Sequence, residues 1–234
     1  MALVWIWTFV WGFGITVAFL IWGHRRDFLP RSVRVLSNVA CWLCGIKVSI
    51  ENEERMYTHS PCIILANHQT GFDVPIFGKY SPPNVVWIAK KELGSLPLIG
   101  WVLRRTRTIL IDRKNRSQAF QQLSEAGKRI ADEKCCVVVL PEGTRNGSAP
   151  QLLPFKRGPF FLAKAANVPM VPVICSSLKE VAHMKTGRLG GNAKIRILPP
   201  VMPEGTPEEM AVKLRQIMQT AFEQLNREMG ITSI

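Results

Sequence analysis

The stretch CIILANHQTGFD, residues 62–73, decides the fold. Its first five residues are apolar and have the length of a short buried strand, and the polar residues after them indicate a loop that leads into a helix. On one continuous helix His68 and Asp73 would point about 140° apart, so they can meet only if His68 lies on the loop and Asp73 begins the helix. Asp73 can then hold one ring nitrogen of His68 and leave the other to accept a proton. The alternative is a surface loop in which Asp73 only caps a helix.

The alternation of strand and helix continues on both sides of this stretch. Short apolar runs predict strands at 47–50, 62–66, 85–89, 108–111, 135–140, 170–175 and 193–198. Helical periodicity predicts helices at 74–80, 98–105, 117–132, 158–166 and 207–228. This order is typical of an α/β fold with a mostly parallel mixed sheet flanked by helices. Residues 46–234 are therefore predicted to form a single α/β domain.

Residues 2–23 form an apolar run with four tryptophans and no charged residue. As a helix the run would be about 30 Å long, which matches the hydrocarbon core of a bilayer. A cleavable signal peptide is the alternative, but such a peptide has a basic leader and a shorter apolar region. The sequence therefore predicts an uncleaved N-terminal hydrophobic helical membrane anchor.

The residues after this run indicate how the chain meets the membrane. Four arginines lie between residues 25 and 34, and positive charge beside an apolar span marks the cytoplasmic side. Residues 31–45 have a helical pattern with a basic side and an apolar side, which suits a helix that rests in the membrane interface. An ordinary core helix is the alternative. Residues 1–45 are thus predicted to be N-terminal membrane-anchoring helices.

Composition narrows the possible partners. The chain has 30 lysines and arginines against 17 aspartates and glutamates, a formal charge of +13, and 47% hydrophobic residues. A folded basic protein of this kind suits a phosphate-bearing lipid, a membrane surface or nucleic acid. The six cysteines lack the spacing of metal ligands, so no metal site is predicted, and reduced thiols fit a domain on the cytosolic side.

Three further polar clusters each follow a predicted strand. They contain Lys90 with Lys91, Asp112 with Arg113, and the segment PEGTR at residues 141–145. Ligand sites of open α/β sheets gather at the ends of strands. In the last cluster the glycine permits close backbone approach, the threonine offers a hydroxyl and the arginine a bidentate guanidinium, which together suit a phosphate. A solvated rim of basic residues is the alternative.

Together these clusters resemble the sequence blocks of the glycerolipid acyltransferase family, in particular its bacterial 1-acylglycerol-3-phosphate acyltransferases. Residues 67–73 match the block N-H-x-x-x-x-D, and residues 111–113, 141–145 and 168–173 match the other three blocks. The blocks occur in family order between residues 60 and 175. One departure is Leu140, where the family commonly has phenylalanine.

The resemblance implies a reaction and a place for it. A fatty acyl group would pass from an acyl thioester, carried on coenzyme A or acyl carrier protein, to the sn-2 hydroxyl of 1-acylglycerol-3-phosphate, giving phosphatidic acid for phospholipid biosynthesis. His68 would take the hydroxyl proton, Asp73 would orient the imidazole, and no cofactor is implied beyond the acyl donor. The location implied is the bacterial inner membrane, with the catalytic domain on the cytoplasmic side. The substrate-binding residues would be Lys90, Arg113, Glu142, Gly143, Thr144 and Arg145.

Two alternatives stay open from the sequence, and two others are disfavoured. The acceptor can be glycerol-3-phosphate, another lysophospholipid or a lyso-aminolipid, and a protein of this fold can bind lipid without catalysis. A membrane-tethered nucleic-acid binder fits the charge, but it would interleave aromatic and basic residues on an exposed sheet. Four of the seven tryptophans lie instead in the first apolar run, so no nucleic-acid partner is expected. A serine hydrolase is disfavoured because the chain has no G-x-S-x-G turn.

Overall fold

The computed structural model describes residues 28–82, 84–96, 99–105, 107–112, 116–147, 149–179, 181–183 and 188–231. The helices in these ranges are α1 (Phe28–Leu43), α2 (Asp73–Gly78), α3 (Ile99–Arg105), α4 (Arg116–Glu133), α5 (Gly158–Ala166) and α6 (Pro207–Glu228). The strands are β1 (Ile46–Glu51), β2 (Ile63–Ala66), β3 (Val85–Lys90), β4 (Ile109–Ile111), β5 (Cys136–Val139), β6 (Met170–Cys175), β7 (Ala182–His183), β8 (Arg188–Leu189) and β9 (Gly191–Ile197). Short 3-10 helices, Glu53–Met56 and Lys91–Ser95, follow β1 and β3.

Seven of the strands form one sheet in the order β1-β9-β6-β2-β5-β3-β4. Every neighbouring pair in this sheet is parallel except β6 and β9, which run antiparallel. The predicted α/β fold with a mostly parallel mixed sheet is thus confirmed. The antiparallel pair of β7 and β8 was not predicted, because strands of two residues are too short to show a periodic pattern.

The central strands are buried on both sides, which explains their uninterrupted apolar sequences. All residues of β2, β5 and β6 are buried. Successive side chains of a strand point to opposite faces. Ile63 and Leu65 therefore pack with α4, α5 and α6 in one core, whereas Ile64 and Ala66 pack in a second core under α1 and α2. Because helices cover both faces of the sheet, the ends of its strands are the part that reaches the surface.

Helix α1 turns its small residues inward and leaves large apolar residues exposed. Its buried residues include Val33, Ser37, Ala40 and Cys41. A Cβ atom at Gly78 of α2 would lie 2.4 Å from Oγ of Ser37, so the two helices approach closely at this point. The opposite side of α1 exposes four residues that we call the apolar stripe: Val35, Val39, Trp42 and Leu43. The predicted amphipathic helix over 31–45 is found as α1, and its apolar side faces outward rather than into the core.

The predicted membrane anchor at residues 2–23 lies outside the described residues. None of the helices in the described ranges is both long and apolar enough to cross a bilayer. The longest of them, α6, has 22 residues and begins with a capping box between Thr206 and Glu209. It is amphipathic and buries one side, including Leu214, Met218 and Phe222, against the sheet.

Candidate active site

The predicted site clusters lie along one edge of the sheet, because the strands before them are parallel neighbours. β2, β5, β3 and β4 lie side by side, and they lead to His68, Glu142, Lys90 and Asp112 in turn. Carboxyl ends of parallel strands meet at the same edge, where α/β proteins bind their ligands. Arg113, also predicted to belong to the site, lies outside the described residues.

His68 and Asp73 contact each other. Nδ1 of His68 lies 2.6 Å from Oδ2 of Asp73. His68 is on the loop after β2, and Asp73 is the first residue of α2, as the loop arrangement predicts. The same Asp73 oxygen accepts hydrogen bonds from the backbone N–H groups of Gln69 and Thr70, at 2.7 and 3.1 Å. The loop is built around this carboxylate, so Asp73 does more than cap a helix.

The two side chains differ in exposure, and this gives them different roles. Asp73 is 1% exposed; burial raises the pKa of its carboxyl, and the hydrogen bond from His68 opposes that rise. The three hydrogen bonds that Oδ2 accepts favour the ionised form. Such an acceptor selects the imidazole tautomer that carries its hydrogen on Nδ1. Within the described part of the chain, Nε2 of His68 has no hydrogen-bond partner, so it is open to a proton donor from outside.

The backbone of His68 is held on both sides by the loop at residues 142–147. Its N–H donates to Oε1 of Glu142 at 2.7 Å. Its carbonyl accepts from the N–H of Asn146 at 2.9 Å. The candidate base therefore lies on a backbone that the end of the neighbouring strand β5 supports.

Two buried amide side chains tie the same loop to the end of β6 and to the residues that follow it. Asn67 exchanges two hydrogen bonds with the backbone of Cys175, at 3.0 and 2.9 Å. Gln69 donates to one carbonyl and accepts from one N–H in residues 176–178, at 2.8 and 2.9 Å. Neither residue was assigned a role from the sequence. The only available signal was a pair of polar residues flanking His68 directly after a buried strand.

The side chain of Glu142 does not lie where the resemblance places it. We expected Glu142 among the substrate-binding residues, but it is only 1% exposed. Its two oxygens accept the N–H groups of His68 and Leu153, at 2.7 and 2.9 Å, and burial raises the pKa of its carboxyl. A carboxylate turned inward onto two backbone groups is not presented to a ligand, so in this structure the side chain of Glu142 supports the loop.

The following residues of this loop are open to solvent. Thr144 and Arg145 are exposed and Gly143 is partly exposed. Gly143 has a φ of +73°, a conformation that favours glycine, and it turns the chain outward after the buried Glu142. Among the described residues, the guanidinium of Arg145 forms no hydrogen bond or ion pair. These three residues therefore provide a hydroxyl, a cation and an accessible backbone for an anionic ligand.

Two adjacent lysines at the end of β3 differ in their surroundings. Lys91 forms an ion pair with Asp112, with 3.3 Å between Nζ and Oδ2. Lys90 is exposed, and no residue in the described ranges pairs with its ammonium group. Lys90 is therefore the better placed of the two to bind an anion.

A model of the Acyltransferase family matches residues 47–176, which is more than half of the chain. The chain belongs to the acyltransferase family. The matched range runs from β1 to the residue after β6, so it contains the contact between His68 and Asp73 and the exposed loop at residues 143–145.

This acyltransferase is similar to proteins from eukaryotes and bacteria. Human 1-acyl-sn-glycerol-3-phosphate acyltransferase alpha is 35% identical over 195 residues, which cover 80% of this chain and 68% of the human protein. The 1-acyl-sn-glycerol-3-phosphate acyltransferase of Saccharomyces cerevisiae is 31% identical over 200 residues, which cover 83% of this chain and 66% of the yeast protein. The crystal structure of the LPA acyltransferase PlsC from Thermotoga maritima matches with a TM-score of 0.72 at 24% identity, covering 96% of this chain and 90% of that chain. This last match shows a shared fold.

The site of this acyltransferase can perform acid–base chemistry next to a bound anionic ligand. Asp73 orients His68, whose Nε2 can take a proton from a hydroxyl group. Arg145 belongs to the loop that holds the His68 backbone, so a bound anion and the base are supported by one short segment. This pairing of a base with a cationic loop fits an acceptor that carries both a hydroxyl and a phosphate.

Proposed function

We propose that this acyltransferase moves a fatty acyl group from an acyl thioester to the sn-2 hydroxyl of 1-acylglycerol-3-phosphate, which yields phosphatidic acid for phospholipid biosynthesis. The observation that carries the proposal is the 2.6 Å contact between Nδ1 of His68 and Oδ2 of Asp73, which leaves Nε2 open to a hydroxyl. The human and yeast relatives, both named for 1-acyl-sn-glycerol-3-phosphate, support this acceptor. The donor is acyl-coenzyme A or an acyl carrier protein thioester.

The chemistry follows from the orientation of the imidazole. Nε2 of His68 accepts the hydroxyl proton while the acceptor oxygen attacks the thioester carbonyl. Asp73 stabilises the imidazolium that forms. The C–S bond then breaks, and the departing thiolate takes the proton from His68. Cys62, six residues before His68, is fully buried, so it is not placed to act as a nucleophile and the transfer is direct within a ternary complex.

The acceptor phosphate is bound by the exposed cationic residues at the same edge of the sheet. Arg145 and Thr144 contact it from the loop after β5, with Gly143 allowing the backbone to come close. Lys90 contributes from the end of β3. Arg113, which follows β4 in sequence, is proposed as a further contact on the strength of the family resemblance.

The proposal is tested with the purified full-length protein in detergent. Each donor type is combined with lysophosphatidate, glycerol-3-phosphate, a neutral monoacylglycerol, lysophosphatidylcholine and a lyso-aminolipid, and both thiol release and the acylated product are measured. We expect product from lysophosphatidate with at least one donor. Absence of thiol release with lysophosphatidate and either donor would contradict the proposal and favour lipid binding without catalysis. Faster turnover of another lysolipid would reassign the acceptor.

Arg145→Ala should raise the KM for lysophosphatidate with a smaller effect on kcat. A charge-assisted hydrogen bond is worth about 1.5 to 3 kcal/mol, so the rise should be roughly ten- to 150-fold. Steady-state kinetics at saturating acyl donor measures it, and Arg145→Lys is the control that keeps the charge but not the bidentate geometry. An equal loss with a neutral acceptor would show that Arg145 does not bind the phosphate.

We further propose that the enzyme works at a membrane, with the catalytic domain on the cytoplasmic side, which in a bacterial cell is the inner membrane. The apolar stripe supports this location, since Trp42 is 77% exposed and Leu43 is 66% exposed on one side of α1. The apolar run at residues 2–23 precedes this helix in the sequence. All six cysteines are free thiols, which is typical of a reducing compartment.

Deleting residues 1–23 should release much of the protein from membranes, and the apolar stripe should carry most of the binding that remains. Trp42→Glu in the shortened chain should weaken this residual binding to anionic vesicles by about tenfold or more, because burying a large apolar side chain is worth about 1.5 to 3 kcal/mol. Vesicle sedimentation measures the partition. Val212→Glu is the matched control, since Val212 is 70% exposed on α6. Equal losses in the two variants would remove the stripe from membrane contact.

A further inference from the structure

We propose that Glu142 is a positioning residue for His68, which it holds through the backbone, and that its side chain does not contact the acceptor. The inference deepens the proposed function, on which it rests for the identity of the base. It concerns the place where the loop after β5 meets the loop after β2. Glu142 is a buried charged residue at this junction.

The first support is the way in which both carboxylate oxygens are used. Oε1 accepts the N–H of His68 at 2.7 Å, and Oε2 accepts the N–H of Leu153 at 2.9 Å. The side chain therefore links the loop that carries His68 to a third segment of the chain, which lies before α5. Hydrogen bonds to an ionised acceptor are roughly twice as strong as those between neutral groups. Glu142 thus connects three segments: the loop after β2, the loop after β5 and the segment before α5.

The second support is that the backbone around Glu142 holds the same loop from the other side. The N–H of Asn146 donates to the carbonyl of His68 at 2.9 Å, and the N–H of Gly147 donates to the carbonyl of Gln69 at 3.1 Å. Both polar backbone groups of His68 are therefore engaged by residues 142–147. The position of the imidazole depends on the conformation of this loop.

The third support is that the residue type fits the two donors. A carboxylate only accepts hydrogen bonds, so each oxygen can face an N–H group. A glutamine in the same place would turn its NH2 group toward one of the N–H donors, and that hydrogen bond would be lost. An aspartate is one methylene shorter and cannot span both donors. Neither change would alter Arg145 or Thr144, which are exposed on the outer side of the loop.

The test compares Glu142→Gln and Glu142→Asp with the wild-type full-length enzyme. A displacement of the base by about 1 Å can cost about 10² in rate, so kcat should fall roughly ten- to 100-fold. The KM for lysophosphatidate should stay within about twofold, because no acceptor contact is removed. This is the reverse of the pattern expected for Arg145→Ala. Glu204→Gln is the matched control, since Glu204 is exposed, and it should leave both constants unchanged.

Hydrogen–deuterium exchange provides a readout that needs no activity. In Glu142→Gln, exchange of the peptide that contains residues 67–73 should be about tenfold faster, because a charge-assisted hydrogen bond that protects the loop is lost. Peptides from α6 should exchange as in the wild type. If the wild-type protein transfers no acyl group but this change in exchange occurs, the proposed function fails and the positioning role stands.

Three results would overturn the positioning role. The first is a KM for lysophosphatidate that rises about tenfold or more at unchanged kcat, which would make Glu142 an acceptor contact. The second is wild-type kcat together with wild-type exchange in both variants. The third is global unfolding of both variants, seen as a lost thermal transition by circular dichroism, because Glu142 would then support the whole fold.

Discussion

His68→Ala should lower the rate of acyl transfer by about 10² to 10⁴ while the protein stays folded. His68 is the residue whose Nδ1 is bound to the buried Asp73 and whose Nε2 is open, so its removal leaves the acceptor hydroxyl without a base. Alanine keeps the backbone N–H and carbonyl of residue 68, so the hydrogen bonds to Glu142 and Asn146 that hold the loop are retained. The rate is measured as thiol release with both substrates saturating.

A second histidine provides the matched control for this variant. His59 lies in the loop before β2, where its Nδ1 is 2.8 Å from Oγ1 of Thr58, and it has no contact with Asp73. His59→Ala should therefore keep nearly all of the activity. Turnover of His68→Ala close to that of the wild type would remove His68 from the mechanism, and a comparable loss in both variants would point to a general effect on stability.

Asp73→Asn should lower kcat by about 10² or more, with the KM for lysophosphatidate little changed. The amide has nearly the same shape, but it carries no charge to stabilise an imidazolium. Oδ2 of Asp73 accepts hydrogen bonds from His68, Gln69 and Thr70. If the NH2 group of asparagine takes this place, it meets three donors and selects the wrong tautomer of His68.

The buried position of Asp73 makes this prediction specific. At 1% exposure the carboxyl cannot reach a bound lipid, so its loss should not weaken acceptor binding. Asp132→Asn is the control, because Asp132 is exposed on α4. If Asp73→Asn retained more than about a tenth of the wild-type kcat, orientation and charge at this position would contribute less than about 1.4 kcal/mol to catalysis.

The strands and the contact between His68 and Asp73 were predictable because local sequence encodes them. β2, β5 and β6 are buried on both faces, so their apolar runs are uninterrupted and easy to recognise. The contact followed from helix geometry, since residues five apart cannot face each other unless the first is on a loop. Each predicted strand and helix from residue 46 onward lies within two residues of an observed element at both ends.

The role of Glu142 was not predictable because it depends on contacts between distant parts of the chain. The sequence shows a carboxylate beside glycine, threonine and arginine, and a resemblance assigns all four to one pocket. Only the adjacency of β2 and β5, together with the turn at Gly143, reveals that Glu142 points inward while the residues after it face outward. The buried side of α1 could not be recognised from the sequence for a similar reason. Small residues such as Ser37 pack well against a neighbouring helix but give no strong hydrophobic signal.

Helix α2 joins the contact with α1 to the catalytic pair. Asp73 is its first residue, and Gly78, its last, lies against Ser37. Six residues of α-helix span only about 9 Å. Under the proposed membrane contact of the apolar stripe, this short helix would set the distance between the imidazole and the lipid surface. A bulkier side chain at position 37 or 78 would raise or tilt the base relative to the glycerol backbone without touching the reacting atoms.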